Sequence, residues 1–225
     1  MTLEYVEIEL DSRPLPAEIR DLLQRAEIRI EDYFKHQPRK RVPRFIASDF
    51  EAAYRMLQGI HDQKLAPGTA FCEWGSGFGI ITIIAAMVGF DACGIEIEEQ
   101  LVKESMALAT DVKVDAKFIC DSYIPAGFEY YTDEIGNTSA LTRSIVLPSD
   151  WLRGTKMFEN DIEIEDFDTI FTFPWPGEAE LVDNLFELQA AEGALFMTYD
   201  ETDGMHIQRK VYELDNEPED DAGVF

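Results

Sequence analysis

The chain has 225 residues, with 19 Lys and Arg against 45 Asp and Glu, for a formal net charge of −26. A chain of this length buries roughly 70–75% of its unfolded surface and needs no disulfide or metal to hold it together, and a hydrophobic fraction of 46% excludes general disorder. The negative excess works against nucleic acid and anionic membrane as partners, because phosphate contacts need a cationic surface; a small molecule or a basic protein tolerates it.

The start, MTLEYVEIELDSRP, lacks the basic region and apolar core of a secretory signal. The longest apolar stretch, Ile80 to Phe90, falls far short of the roughly 18–20 residues that a spanning helix needs. The three cysteines, Cys72, Cys93 and Cys120, form no C-x-x-C pair and sit in runs that read as buried strands, so reduced thiols and a cytoplasmic setting are expected. His36, His61 and His206 share no metal-ligand spacing, and no metal is expected.

In chain order, an alternating run from Leu3 to Leu10 reads as an edge strand, followed by a turn at Pro14 and Pro16. From Ala17 to Lys35 the apolar residues Ile19, Leu22, Leu23, Ala26, Ile30, Tyr33 and Phe34 recur at helical spacing. A dense basic patch, Arg39 to Arg44, reads as a solvated linker. Ser48 and Asp49 offer caps to a second helix carrying Phe50, Ala53, Tyr54, Leu57 and Ile60.

Beyond Pro67-Gly68 the pattern changes to short apolar runs alternating with helical ones. The runs are Thr69–Trp74, Asp91–Ile97, Ala116–Tyr123, Phe167–Phe173 and Gly193–Tyr199. Between them lie helices at Ile80–Val88, around Leu101–Ala109 (Leu101, Val102, Met106, Leu108 and Ala109 inward) and at Glu178–Ala191 (Leu181, Leu185, Phe186 and Leu188 inward). Apolar strands separated by helices give an α/β, doubly wound, mostly parallel sheet covered on both faces. The expected organisation is an N-terminal helical extension over 1–44, a main domain over 45–212 with an insertion at 124–166, and an acidic tail at 213–225. Tyr130, Tyr131 and Trp151 in the insertion are candidate lid residues. Only 25 residues follow Asp200, so the sheet is expected to be shortened at that side, or completed by another copy of the chain.

The informative segment is Glu73-Trp74-Gly75-Ser76-Gly77-Phe78-Gly79, where a strand runs through three glycines into a helix. Glycine serves there because the turn needs backbone angles that side chains resist, and because a ligand must approach the main chain. A dinucleotide fingerprint would require glycine at position 80, which is isoleucine. The carboxylate of Glu73, two residues before the first glycine, repels a pyrophosphate and attracts an ammonium or sulfonium. Glu96, about 20 residues past the first glycine, ends the second of these runs, and Asp121-Ser122 ends the third. An acid at the second strand end can accept hydrogen bonds from both hydroxyls of a ribose. Three strand ends thus bring three carboxylates to one crevice, where open α/β sheets bind ligands.

These residues, in this order and spacing, resemble the class I S-adenosylmethionine-dependent methyltransferases over roughly residues 45–123, and more faintly the seven-strand protein-lysine methyltransferases. The resemblance implies a Rossmann-like methyltransferase domain with S-adenosyl-L-methionine as cofactor. Glu73, Gly75, Ser76, Gly77 and Gly79 would hold its methionine part, Glu96 the ribose, and Asp121 with Ser122 the adenine. In amino-group methyltransferases a polar residue, two apolar ones and an aromatic often close the fourth strand. Here Pro174 and Trp175 match, while Thr172 and Phe173 differ. Phe173, Pro174, Trp175 and Glu178 are the candidate substrate-binding residues, and no catalytic residue is assigned. The expected function is methyl transfer to an acceptor such as an amino group of a protein or small molecule. The alternatives are a non-catalytic cofactor-binding module and a nicotinamide-dependent oxidoreductase.

Overall fold

The computed structural model describes residues 2–36, 49–124, 163–174, 177–200 and 204–211. The basic patch, nearly all of the insertion with Tyr130, Tyr131 and Trp151, the residue Trp175 and the acidic tail lie outside them.

The described elements are β1 (Thr2–Tyr5), α1 (Ala17–His36), α2 (Phe50–Gln63), β2 (Ala70–Trp74), α3 (Ile80–Val88), β3 (Asp91–Glu96), α4 (Glu99–Val112), β4 (Lys117–Cys120), a 3₁₀ turn (Ile164–Asp166), β5 (Thr169–Thr172), α5 (Ala179–Gln189), β6 (Leu195–Asp200) and β7 (Gly204–Val211). All seven strands form one sheet in the order β1-β7-β6-β5-β2-β3-β4. Strands β4, β3, β2, β5 and β6 are mutually parallel. β7 is antiparallel to both of its neighbours, so β1 runs with the parallel set.

The expectation of a shortened sheet is therefore overturned. The place beyond β7 is filled by the chain's own N-terminal strand, with Thr2 opposite Val211 and Tyr5 opposite Gln208. Sequence order hid this because β1 and β7 lie at opposite ends of the chain, and nothing local in either run names its partner.

Alternation along the strands divides the core in two. Phe71, Phe171, Met197 and Ile207 face α1 to α4 and meet Leu22, Leu57, Ile81, Ile84 and Leu108. Cys72, Trp74, Ile95, Ile170 and Phe196 face the other way, against Leu185 and Phe186 of α5. Helices thus cover both faces, as the run of apolar strands required. Two residues expected to face inward do not. Met106 and Leu188 are exposed, because Met106 stands about 140° round the helix from Leu101 and Leu188 lies at the edge of its stripe in the last turn. Cys72 and Cys93 are buried, Cys120 is half-buried, and all three are free thiols. Among the described residues, no helix is long and apolar enough to cross a membrane, and no group of His, Cys, Asp and Glu is placed to hold a metal ion.

Candidate functional site

The turn between β2 and α3 sits at the carboxyl end of the sheet. Gly75, Gly77 and Gly79 have φ of 72°, 55° and 69°, a left-handed conformation repeated at alternate residues that side chains resist. Apart from its two chain neighbours, no described residue comes within 4 Å of where a Cβ on Gly75 would stand, so the space above it is open. At Gly79 the opposite holds: a Cβ would collide with the Phe118 ring and meet Ser105 at 2.8 Å. The first glycine keeps a space clear, and the third lets the helix lie close to the neighbouring elements.

The amide groups of the bend point into the protein. Gly75 N–H and Ser76 N–H both donate to the Ile95 carbonyl at 2.9 Å, and Gly79 N–H donates to Ser76 at 2.7 Å. Gly77 N–H donates to Glu96 Oε2 at 2.8 Å. Its carbonyl accepts the Ser105 hydroxyl at 2.9 Å. Four amides that would otherwise cradle a phosphate are committed internally. An anion above the bend would stand over two buried carboxyl groups without compensating donors from these amides.

Glu73 is 5% exposed. Its Oε2 accepts from Thr82 N–H at 2.8 Å and from the Thr82 hydroxyl at 2.5 Å. It thereby caps α3, whose N-cap residue, Gly79, has no side chain to do so. Burial pushes the carboxyl from 4.5 up to about 8, against the opposing pull of the Thr82 hydrogen bonds. Gly94, opposite Glu73 in the register, makes room for this arrangement. A Cβ there would meet the Thr82 hydroxyl at 2.7 Å and Ser76 at 2.8 Å. The Ser76 hydroxyl is buried and makes no hydrogen bond among the described residues.

Glu96 ends β3 and is 8% exposed. Its two oxygens are held apart, Oε2 by Gly77 N–H and Oε1 by Glu98 N–H at 2.8 Å. Each retains a lone pair for another donor. Burial raises its pKa, with the backbone N–H groups of Glu98, Gly77 and Ile97 opposing. Beside it at the end of β4, Asp121 is half-buried; burial raises its pKa while Ser122 N–H, donating to Oδ1 at 2.7 Å, lowers it. The Ser122 hydroxyl accepts from Ile124 N–H at 3.1 Å, fixing the turn.

On the other side of the bend, Thr172 is buried and donates to the Trp74 carbonyl at 3.4 Å, so the polar group at this strand end faces inward. Phe173 is half-buried and meets Tyr199 of β6 edge-on, with ring centres 4.9 Å apart. Pro174 follows, half-buried, and Trp175 is outside the described residues. Glu178 is the N-cap residue of α5 and is buried, without a capping hydrogen bond from its side chain. The Trp74 ring stacks on Tyr123, with ring centres 5.4 Å apart.

The cofactor-side candidates Glu73, Gly75, Ser76, Gly77, Gly79, Glu96, Asp121 and Ser122 thus lie on three adjacent strand ends, with Phe173 and Pro174 on the next. Glu73 differs from expectation in spending one oxygen on a helix cap. Thr82 and Ser105 were missed, although each leaves a trace. Thr82 is the sole polar residue in IITIIAAMV, and Ser105 interrupts the buried stripe of α4.

No family model matches the chain. A 67-residue segment is 36% identical to the ribosomal protein L11 methyltransferase of Neisseria gonorrhoeae, covering 29% of this chain and 23% of that protein. The chain therefore aligns with under a quarter of that relative's length. Among solved structures, an RNA methyltransferase from Salinibacter ruber, in complex with S-adenosyl-L-homocysteine, is 16% identical with a TM-score of 0.49, over 76% of this chain and 98% of that one. The O-methyltransferase from Bacillus cereus, also in complex with that product, is 13% identical with a TM-score of 0.48, over 83% of this chain and 67% of that one. Likeness this distant identifies no acceptor.

Proposed function

We propose that this chain, whose fold is that of the class I seven-strand methyltransferases, binds S-adenosylmethionine over the 75–79 bend and transfers its methyl group to an amine. The observation that carries the reading is the inward commitment of the bend's amides above two buried carboxyl groups. Such a bend suits a cation and disfavours a pyrophosphate. The residues fit the cofactor. Gly75 keeps its space clear, Glu96 has lone pairs left for a ribose diol, and Asp121 with Ser122 lies on the adjacent strand end for an adenine amino group.

The bound cofactor supplies a methyl group on a positively charged sulfur. The chain's task is then alignment and exclusion of water. Glu96 fixes the sugar, and Glu73 provides a carboxyl whose ionised form balances positive charge above the bend. Phe173 and Pro174 wall the approach of the acceptor, and Glu178 adds negative charge near it. An ammonium acceptor must lose its proton to a carboxylate or to solvent before it can react. The net charge of −26 favours a basic protein as acceptor over nucleic acid, and the partial relative's name directs attention to a ribosomal protein.

Calorimetry of the chain with S-adenosylmethionine, S-adenosylhomocysteine and NAD tests the cofactor. Transfer of labelled methyl to basic proteins, small amines and RNA tests the acceptor. Preference for NAD, or no binding of the sulfonium cofactor, overturns the reading. Label in RNA overturns the amine, and tight binding without any transfer leaves a binding module.

A further inference from the structure

Helix α1 reaches the same site from outside the sheet. It lies antiparallel to α4, because Arg29 donates to Glu104 at 2.8 Å and to Asp111 at 2.5 Å, while Tyr33, one turn later, feels the charge of Glu98, the N-cap residue of α4. Since α4 begins directly after β3, the last turn of α1 arrives at the level of Glu96. There the Tyr33 ring meets Phe78, a residue of the bend, edge-on at 5.3 Å, and Phe34 stands 6.4 Å from the same ring. Tyr33 is only 7% exposed. Among the described residues its hydroxyl makes no hydrogen bond, and its oxygen is not fully enclosed. The ring is thus locked in the core while the phenol oxygen meets solvent beside the bend. Burial, then the carboxylates of Glu98, Glu104 and Glu96, push the phenol up from its ordinary pKa, so it remains a donor at neutral pH.

A buried ring that presents a lone hydroxyl beside a ribose-binding carboxylate has more than packing to do. Phenylalanine would pack equally well against Phe78 and would avoid holding a polar group near three acids. The geometry points to Tyr33 as a further cofactor-binding residue whose hydroxyl hydrogen-bonds the ribose diol held by Glu96, making the seating of α1 part of nucleoside recognition. This rests on the cofactor reading above. A phenol can donate to one ribose hydroxyl or accept from it, and Glu96 can take the remaining donor.

The test is calorimetric titration of S-adenosylhomocysteine into the unaltered chain and the Tyr33→Phe variant, repeated with the analogue lacking both ribose hydroxyls. Tyr33→Phe is expected to weaken the natural nucleoside about three- to tenfold and to leave the dideoxy analogue's affinity unchanged, with the same melting temperature as the parent. Hydrogen exchange should also show residues in the last turns of α1 becoming protected when the natural nucleoside binds. Equal affinity of parent and variant, or an equal loss for both ligands, overturns the assignment while leaving the cofactor reading intact. If the unaltered chain binds neither ligand, the cofactor reading itself falls.

Discussion

Glu73→Gln separates a buried carboxyl from a solvated one. In the folded chain Glu73 ionises near 8, against 4.5 for the free group, because burial penalises its charge. A carboxyl raised in this way stabilises the fold fully below about pH 4.5, where it is neutral in both states. The contribution fades as pH climbs toward 8, since unfolding then releases a proton that the native state retains. At about 1.4 kcal/mol per unit, the shift amounts to about 5 kcal/mol in the limit. Between about pH 5 and about pH 9 the difference is about 4 kcal/mol. Glutamine keeps an oxygen to accept from Thr82 and never ionises. The urea-derived stability of Glu73→Gln minus that of the parent should therefore rise by about 4 kcal/mol across that window. Glu96 and Asp121 are shifted in the same direction, but they remain in both proteins and cancel in the difference. A difference flat with pH would mean that the carboxyl is solvated, and would remove the buried acid from beneath the bend.

Glu96→Ala should weaken S-adenosylhomocysteine by about 1–3 kcal/mol, read by calorimetry, while the chain's fold, followed by circular dichroism, stays intact. Gly94→Ala drives a methyl into the Thr82 hydroxyl and Ser76 and should cost about 1–3 kcal/mol of stability in urea, with weaker cofactor binding because Glu73 and the bend shift together. Removing residues 1–5 strips four cross-strand pairs from β7. At about 0.2–1 kcal/mol each this costs about 1–4 kcal/mol, and the bared edge should show as self-association in light scattering.

The parallel part of the fold was legible because burial on both faces writes itself into the chain as uninterrupted apolar runs. Phe71, Cys72, Ala92, Cys93, Ile170, Phe171, Phe196 and Met197 all point to a core, on whichever face they fall. The bend was legible for a different reason. Three glycines at alternate positions are costly in an ordered chain, and the left-handed angles at 75, 77 and 79 show what they are for. What resisted reading were relations between distant residues. The pairing of Thr2–Tyr5 with Gln208–Val211 has no local signal. The capping of α3 by Glu73 was hidden because a carboxylate beside a glycine turn reads first as a ligand group. Tyr33 was read correctly as an inward residue of α1, but helical spacing gives only the face of a helix, not what lies under its last turn.

The N-terminal residues do more than extend the domain. β1 closes one edge of the sheet, and the chain then crosses α2. There Ile8 lies where a Cβ on Gly59 would stand at 2.7 Å, the Gln63 side chain donates to the Glu9 carbonyl at 2.9 Å, and Arg55 holds the Asp11 and Arg13 carbonyls. α1 follows and is pinned to α4 through Arg29. One strap therefore joins the β7 edge, the outer face of α2 and the flank of the glycine bend. Loosening it should lower the order of Phe78, because Phe78 rests on Tyr33 and Phe34 rather than on the sheet alone. On the proposed reading, cofactor affinity should then depend on an element more than thirty residues before the first glycine, and substitution of Arg29, which touches neither the bend nor Glu96, should weaken it in calorimetry.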